Sequence, residues 1–346
     1  FASLVVMGWM GQNVEMTITF EANVFQSVLG DAVVPETSFL DLLTALAVLI
    51  SLQAPMCLSD DWRGSDITQL VMLGTGTPNP FPDRSGPSLA IVVNGEPYLV
   101  DFGPGVVRQA SSLSPEYGGK IRGLAVENLK HAFLTHLHSD HTVGLPDLIL
   151  TAWTVGRDSP LKLFGPEGTK HMADKVLEAY EEDIRYRLYS EQPANNQGWR
   201  VETQEVTESG LIFKDENVTV EAFRVPHGSW PDAWGYRFTT PDRVIVVSGD
   251  TAPSRELAKY ARGADILVHE VYSQEGFAKK EPQWQKYHAK NHTSTSELGR
   301  LASEVKPKLL VLYHQLLWGS THDTLIEEVK AEFSGEVVSA RDLDVF

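Results

Sequence analysis

Cysteine is almost missing from this sequence: Cys57 is the only one in 346 residues. A disulfide framework within the chain is thereby excluded, and so is a cysteine-based zinc site, which leaves histidine and carboxylate as the only strong metal donors. Compartment stays open on this ground, because a disulfide-free chain is compatible with any of them. Basic residues are scarce too. Lys and Arg number 29 against 46 Asp and Glu, a formal charge of −17. That balance denies the chain a general affinity for phosphate backbones and leaves room only for weak nucleic-acid contact through a local basic groove. Before Arg63 there is no Lys or Arg at all. Long apolar segments are also lacking. The run FLDLLTALAVLISL at 39–52 is too short to span a bilayer comfortably and has no basic flank, so no membrane span is expected. Its apolar character is that of a signal-peptide core, yet it lies far inside the numbered chain without a positive n-region, and the balance tips towards a cytoplasmic protein. The plainer reading is a buried helix capped by Ser38, with Asp41 in its first turn.

Residues 14–24, VEMTITFEANV, alternate apolar and polar, the period of a half-buried strand. Residues 1–62 therefore read as an N-terminal extension of strand and apolar helix, and 63–346 as the main domain. In that domain the runs LVML, LAIVV, YLVDF and HAFLTH are strands joined by Gly/Pro turns, followed by the helical pattern GTKHMADKVLEAYEEDI. The second half repeats the order with VTVEAFRVPH, WGYRFTT and RVIVVSGD, the helix PSRELAKYAR, then ADILVHE, the helix STSELGRLASEV, and KLLVLYH. Strands followed by helices, twice over, predict an α/β fold of two mixed sheets packed face to face with helices outside.

The chemistry gathers where strands end. In THLHSDHTVGLPDL, His136, His138, Asp140 and His141 follow the strand HAFLT; His227, Asp250, His269 and His314 end later strands in the same way. Strand ends are rigid points from which distant side chains converge on one site. Alternation along an extended segment points residues 136, 138 and 140 one way and turns 141 aside, so one loop can feed two adjacent metal ions. A single histidine at a strand end is more often a satisfied polar group than a ligand. A set of this size is different, because no core accommodates so many unpaired polar groups without a partner.

HLHSDH resembles the HxHxDH signature of the metallo-β-lactamase superfamily, and the His after a strand, the Asp in SGDT and the terminal His follow that superfamily's order. The likeness runs from about Leu70 to the C-terminus. It is closest to the ribonuclease Z and arylsulfatase-like branch, through LGTGTPNP, HGSWPDAWGYRF, VHE and NHTSTSELG. The resemblance implies an αββα sandwich and a site with two Zn2+ per chain: His136, His138 and His227 on one ion, Asp140, His141 and His314 on the other, Asp250 bridging. It implies that the pair of ions turns a shared water into hydroxide that attacks an ester, with Asp140, Glu270 and His292 as the catalytic set and Glu270 with His292 protonating the leaving group. Asp101 would steady a ligand. His131, His171, His288 and His322 are left as surface or structural residues.

For substrate, the expectation is an ester of small or medium size, a phosphodiester or sulfate ester. The protruding arm with which ribonuclease Z enzymes hold tRNA, inserted between the ligands matching His227 and Asp250, is missing, since only GSWPDAWGYRFTTPDRVIVVSG separates them. A ribonuclease Z-like tRNA 3′-end endonuclease is the alternative, followed by a metallo-β-lactamase, although true β-lactamases generally lack a bridging aspartate there. A non-catalytic metal-binding scaffold is the reading of a different class, and the complete ligand set argues against it. Trp153, Trp230, Trp234 and Trp318 lie close in sequence to ligands and offer either packing anchors or a wall for a ring-bearing substrate. The apolar extension should cover itself against the domain or against a second chain, giving a homo-oligomer. A chain starting at Arg63 is expected to keep its metal but to melt lower or change its oligomeric state; identical melting, solubility and sedimentation would show that the extension is removable.

Overall fold

Strands in this chain form where β-branched and aromatic residues run together, and helices where apolar residues recur at helical spacing. The computed structural model describes residues 3–5, 17–19 and 67–346. The chain separates into two units, Phe1–Asp61 and Trp62–Phe346. In the first, β1 (Ser3–Val5) pairs antiparallel with β2 (Thr17–Thr19), Leu4 opposite Ile18. Strand β2 falls inside the alternating stretch 14–24, whereas the helix expected over 39–52 lies outside the described residues.

The second unit opens with the antiparallel meander β3 (Thr68–Gly74), β4 (Ser88–Val93) and β5 (Glu96–Val100). Asn94 and Gly95 turn the β4–β5 hairpin with φ of 51° and 84°, the left-handed pair that a tight hairpin needs. Then come α1 (Val106–Leu113), β6 (His131–Phe133), α2 (Ser139–Thr142), α3 (Leu145–Thr154), β7 (Leu161–Gly165), α4 (Thr169–Ala179), α5 (Glu181–Tyr189) and β8 (Val201–Glu205). Strands β3 to β8 lie in sequence order in one six-stranded sheet, parallel from β5 onward.

The second sheet has seven strands in the order β15-β14-β13-β12-β11-β10-β9. Its strands are β9 (Gly210–Lys214), β10 (Thr219–Arg224), β11 (Trp234–Thr239), β12 (Val244–Val247), β13 (Ile266–Tyr272), β14 (Leu309–Leu316) and β15 (Glu336–Ser339). Helix α6 (Arg255–Ala261) follows β12; α7 (Gln274–Ala278), α8 (Pro282–Asn291) and α9 (Thr295–Val305) follow β13; α10 (His322–Lys330) follows β14. Antiparallel pairing among β9–β12 gives way to parallel pairing from β12 to β15.

Three buried apolar layers show how these elements stack. Phe133, Trp234, Tyr236, Phe238, Val268 and Val311 fill the space between the sheets. Phe102, Leu145, Leu148 and Leu163 bury the outer face of the first sheet under α1 and α3. Leu257, Leu298, Leu310 and Leu325 do the same for the second sheet under α6, α9 and α10. Strand β14 shows the alternation directly: Leu309, Val311 and Tyr313 face the inter-sheet core while Leu310 and Leu312 face the helices. A strand covered on both faces reads as a continuous apolar run, which is why KLLVLYH is so plain in the sequence. The result is the expected αββα sandwich. The C-terminal tail returns to the free edge of β3, where Leu70 N donates to Phe346 O at 2.9 Å, so that edge is covered. Just before it, Asp342 accepts from Thr75 N and Ser85 N at 2.8 and 2.6 Å, pinning the loop after β3.

Candidate metal centre and active site

Every candidate ligand leaves the carboxyl end of a strand. The β6 strand delivers Thr135 and His136, α2 carries Asp140 and His141, and the turns after β10 and β12 bring His227 and Asp250. Gly249 reaches Asp250 with φ of 62°, and a Cβ there would stand 2.7 Å from Trp234 O, so only glycine fits. His314 comes from β14 in a different way. Pairing with β13 shifts from Glu270↔Tyr313 to Val271↔Gln315, leaving His314 as the extra residue of a bulge, with φ of 43°. A bulge re-aims a side chain that regular pairing would send elsewhere, and a non-glycine residue held in this region is strained.

The side chains meet in groups. Single ligand atoms from His136, His138, His227 and Asp250 lie within 4.8 Å of one another, as do those of Asp140, His141 and His314, and those of Asp250, His292 and His314. Asp250 stands between them, with its oxygens 4.0 Å from His136 Nε2, 3.6 Å from His141 Nε2 and 3.4 Å from His314 Nε2. Asp140 Oδ2 is 3.3 Å from His314 Nε2.

One nitrogen on most of these rings is already committed, and this orients the other. His141 Nδ1 donates to Asp101 Oδ2 at 2.7 Å, and that carboxylate is fixed by Thr135 N and Thr135 Oγ1 at 2.8 and 2.9 Å. His227 Nδ1 donates to Asn291 O at 2.8 Å. Thr135 Oγ1 lies 3.0 Å from His136 Nδ1, and Trp230 Nε1 lies 2.5 Å from His138 Nε2. The nitrogens left over, His136 Nε2, His138 Nδ1 and His227 Nε2, face one another at 2.8 and 3.2 Å.

Electrostatics separates the two groups. Burial, reinforced by neighbouring imidazoles, holds His136 well below the usual histidine range, brings His138 down to about 4 and lowers His227, so all three are neutral, the ligand form. For His141 and His314 burial pulls the same way but carboxylates outweigh it: Asp101, Asp250 and Asp140 raise the first, Asp250 and Asp140 the second. Asp250 is itself held well below the carboxylate range; burial opposes this, and His314 and His141 overcome it. Asp101, Asp140, Asp250 and Glu270 are all buried, and among the described residues histidines are their only ion-pair partners. His141 Nε2 and Asp250 Oδ1 are buried without any hydrogen-bond partner. Neutral imidazole lone pairs and orphaned carboxylate oxygens turned on common points are the donor set of a metal, so the residues fit metal ions.

Glu270 and His292 stand beside the ligands. Glu270 Oε2 is 3.3 Å from His292 Nδ1, and Glu270 Oε1 accepts from Thr293 N and Thr251 N at 2.9 and 3.3 Å. Burial and the charge of Asp250 push the Glu270 carboxyl well up, while burial brings His292 down to about 4.

Other histidines fall outside the groups. His269 Nδ1 donates to Glu270 O at 2.6 Å. His131 lies 3.4 Å from Glu96 and stacks on Tyr98, His171 is exposed, and His322 Nδ1 is 2.7 Å from Ser339 Oγ. The tryptophans divide. Trp153 is buried on α3 with its Nε1 on Asn195 O, and Trp234 fills the inter-sheet core, so neither forms a wall at the site. Trp230 touches His138, and Trp318 lies over His288 with centroids 4.3 Å apart. Sequence reasoning missed Gln315. Its buried amide donates to Leu312 O and Ala340 O at 2.7 and 2.9 Å and accepts from Arg84 Nη1 at 2.5 Å, bracing the bulge that presents His314. No motif announces such a role; only the strand register exposes it.

A convergent, buried His/Asp cluster on an αββα sandwich defines a metal-dependent hydrolase. A family model described as a β-lactamase superfamily domain matches residues 97–315. The chain is 30% identical over 280 residues to a protein named ribonuclease Z from Mycobacterium marinum, covering 80% of this chain and 96% of that one. It is 34% identical over 251 residues to the ribonuclease Z of Mycobacterium sp. strain KMS, covering 72% and 84%. Among solved structures, the metallo-β-lactamase fold protein YhfI from Bacillus subtilis aligns with a TM-score of 0.62 at 19% identity over 81% of this chain and 99% of that one. Human tRNase Z, short form, aligns at 0.58 and 24% over 80% and 98%; these structural likenesses speak for the fold. The chain belongs to the metallo-β-lactamase superfamily, in its ribonuclease Z branch.

Gln315→Ala is expected to let the bulge relax and to weaken metal binding at the Asp140–His141–His314 group by about tenfold or more, as for other residues that orient ligands. Competition with a chelator measures this. Equal weakening at both groups, or none, would contradict the assignment.

Proposed function

We propose that this chain is a ribonuclease Z-like endonuclease that cuts precursor tRNA at its 3′ end, using two zinc ions. The observation that carries the proposal is the sharing of Asp250 between two ligand groups with the Glu270–His292 pair alongside. The relatives named ribonuclease Z support the substrate, and they favour this reading over the small or medium-sized ester expected from composition and the missing arm. Their match to M. marinum ribonuclease Z runs over 96% of that protein's length, so the short segment between His227 and Asp250 does not by itself separate this chain from proteins of that name.

His136, His138 and His227 would hold one ion and Asp140, His141 and His314 the other, with Asp250 facing both. Bound there, the metals supply Lewis acidity and an activated water at neutral pH. The chain's own residues do the rest. Glu270, anchored through Oε1 by two backbone N–H groups, holds Oε2 3.3 Å from His292 Nδ1, within reach of a proton transfer between them. Burial brings His292 down to about 4, so its ring is neutral near pH 7; the far nitrogen gives its proton to the leaving oxygen as Nδ1 takes one from Glu270, whose carboxyl burial and Asp250 push well up. A small phosphodiester is the second reading. It is favoured by β11 and β12, which between His227 and Asp250 form a bare antiparallel pair with no inserted arm.

Two measurements test this. Precursor tRNA should be cleaved at a defined 3′ position at low enzyme concentration; turnover of bis-p-nitrophenyl phosphate alone would promote the second reading. His292→Ala should keep its metal and lose about 10²-fold in rate on RNA, with a smaller loss for p-nitrophenyl leaving groups that need no proton. Equal losses on both substrates would make His292 structural.

A further inference from the structure

In an acidic chain, the stretch KKEPQWQKYHAKNH at 279–292 stands out: it holds four lysines against one glutamate, with a tryptophan, a tyrosine and two histidines between them. It forms α8 and the residues on either side. Trp284 and Tyr287 are exposed at 50% and 42%, unusual for large rings on a polar helix. Lys286 and Lys290 are exposed one turn apart and make no ion pair among the described residues. Lys280 lies over the Trp318 ring, 4.8 Å from its centroid.

These rings are continuous with the active site. Trp284 stacks on His288, with centroids 5.8 Å apart and planes 26° apart, and Tyr287 meets the same ring edge-on at 5.1 Å. His288 in turn contacts Trp318 at 4.3 Å and His292 at 5.6 Å. His292 stands 3.3 Å from Glu270 and 4.0 Å from Asp250. Residues 284, 288 and 292 are spaced by four, so one face of the helix carries a row of rings from solvent to the proposed proton donor. Lys280, over Trp318, lies beside that row, whereas Lys286 and Lys290 stand on the far side of the helix, Lys290 one turn from Tyr287.

Exposed aromatic platforms on a helix whose remaining surface carries unpaired lysines suit one class of ligand. Unstacked bases lie on the rings whatever their sequence, and the lysines follow the phosphates. A duplex, whose bases are already stacked on one another, cannot use the rings. We infer that α8 is the surface that holds an unpaired RNA strand and leads it to the scissile phosphate at His292. The inference rests on the ribonuclease reading and adds to it which strand is held, and where.

The test compares Trp284→Ala and the double variant Lys286→Ala/Lys290→Ala with the intact full-length enzyme. Binding is followed by fluorescence anisotropy with a short single-stranded RNA and with a hairpin lacking overhangs, and turnover with precursor tRNA and bis-p-nitrophenyl phosphate. Trp284→Ala should weaken single-strand binding by about tenfold, in line with the loss of a base-stacking ring. The lysine variant should reduce the slope of log affinity against log salt by about 0.7 for each phosphate that is no longer neutralised. In both, KM for precursor tRNA should rise with kcat nearly unchanged, and the ratio of RNA to small-diester turnover should fall. Retained RNA cleavage with unaltered KM and salt slope would overturn the inference and leave the ribonuclease reading standing. Equal losses on hairpin and single strand would overturn it as well. Failure of the intact enzyme to bind or cut any RNA would remove the ribonuclease reading, and this inference with it.

Discussion

Asp250 is a buried carboxylate surrounded by imidazoles of two separate groups, and no lysine or arginine among the described residues balances it. Removing such a charge from water costs several kcal/mol even after the protein relaxes, and three more carboxylates are buried close by. A fold keeps this arrangement only if something else repays it. Cations at the points where the imidazole nitrogens converge would do so, and the two halves of the molecule meet there. His136, His138, Asp140 and His141 come from the first sheet, and His227, Asp250 and His314 from the second. The apolar layer between the sheets, from Phe133 to Val311, sets the distance across which the ligands face one another.

Around this constraint the chain builds rigidity outward. Asp101, with φ of 58°, takes two hydrogen bonds from Thr135 and one from His141, so a strained residue at the end of β5 fixes a ligand on α2. His227 is steadied by the last residue of α8, and this ties the metal site to the helix that carries the exposed Trp284 and Tyr287 and the lysines. The ligand shell and the inferred substrate surface thus share one element. The acidic net charge is then no obstacle to an RNA substrate, because the local arrangement of lysines and rings, rather than the total charge, decides where a strand can lie.

Much of this was legible in the sequence, and the reason differs from part to part. HLHSDH could be read because its ligands are neighbours in the chain. His227, Asp250 and His314 could be read because each ends an unmistakable apolar strand. Glu270 and His292 were reached through resemblance, and the structure places them 3.3 Å apart. The helix at 39–52 lies outside the described residues. Gln315, the hydrogen bond of Trp230 to His138 and the row of rings on α8 were not legible. Gln315 acts through a shift in strand pairing and Trp230 through a hydrogen bond, neither of which leaves a spacing signature, and the spacing of 284, 288 and 292 gains meaning only once His292 is placed at the site. The four tryptophans make the same point: nearness in sequence to a ligand did not distinguish Trp153 and Trp234, which are buried away from the site, from Trp230 and Trp318, which border it.

Metal content by elemental analysis, in the wild type and in Asp250→Ala, tests the shared-carboxylate centre most directly. About two zinc equivalents are expected per wild-type chain, and the variant should lose metal from both groups, because the carboxylate facing both is gone. A variant that retains the wild-type content, or a wild-type protein fully active without metal, would contradict such a centre.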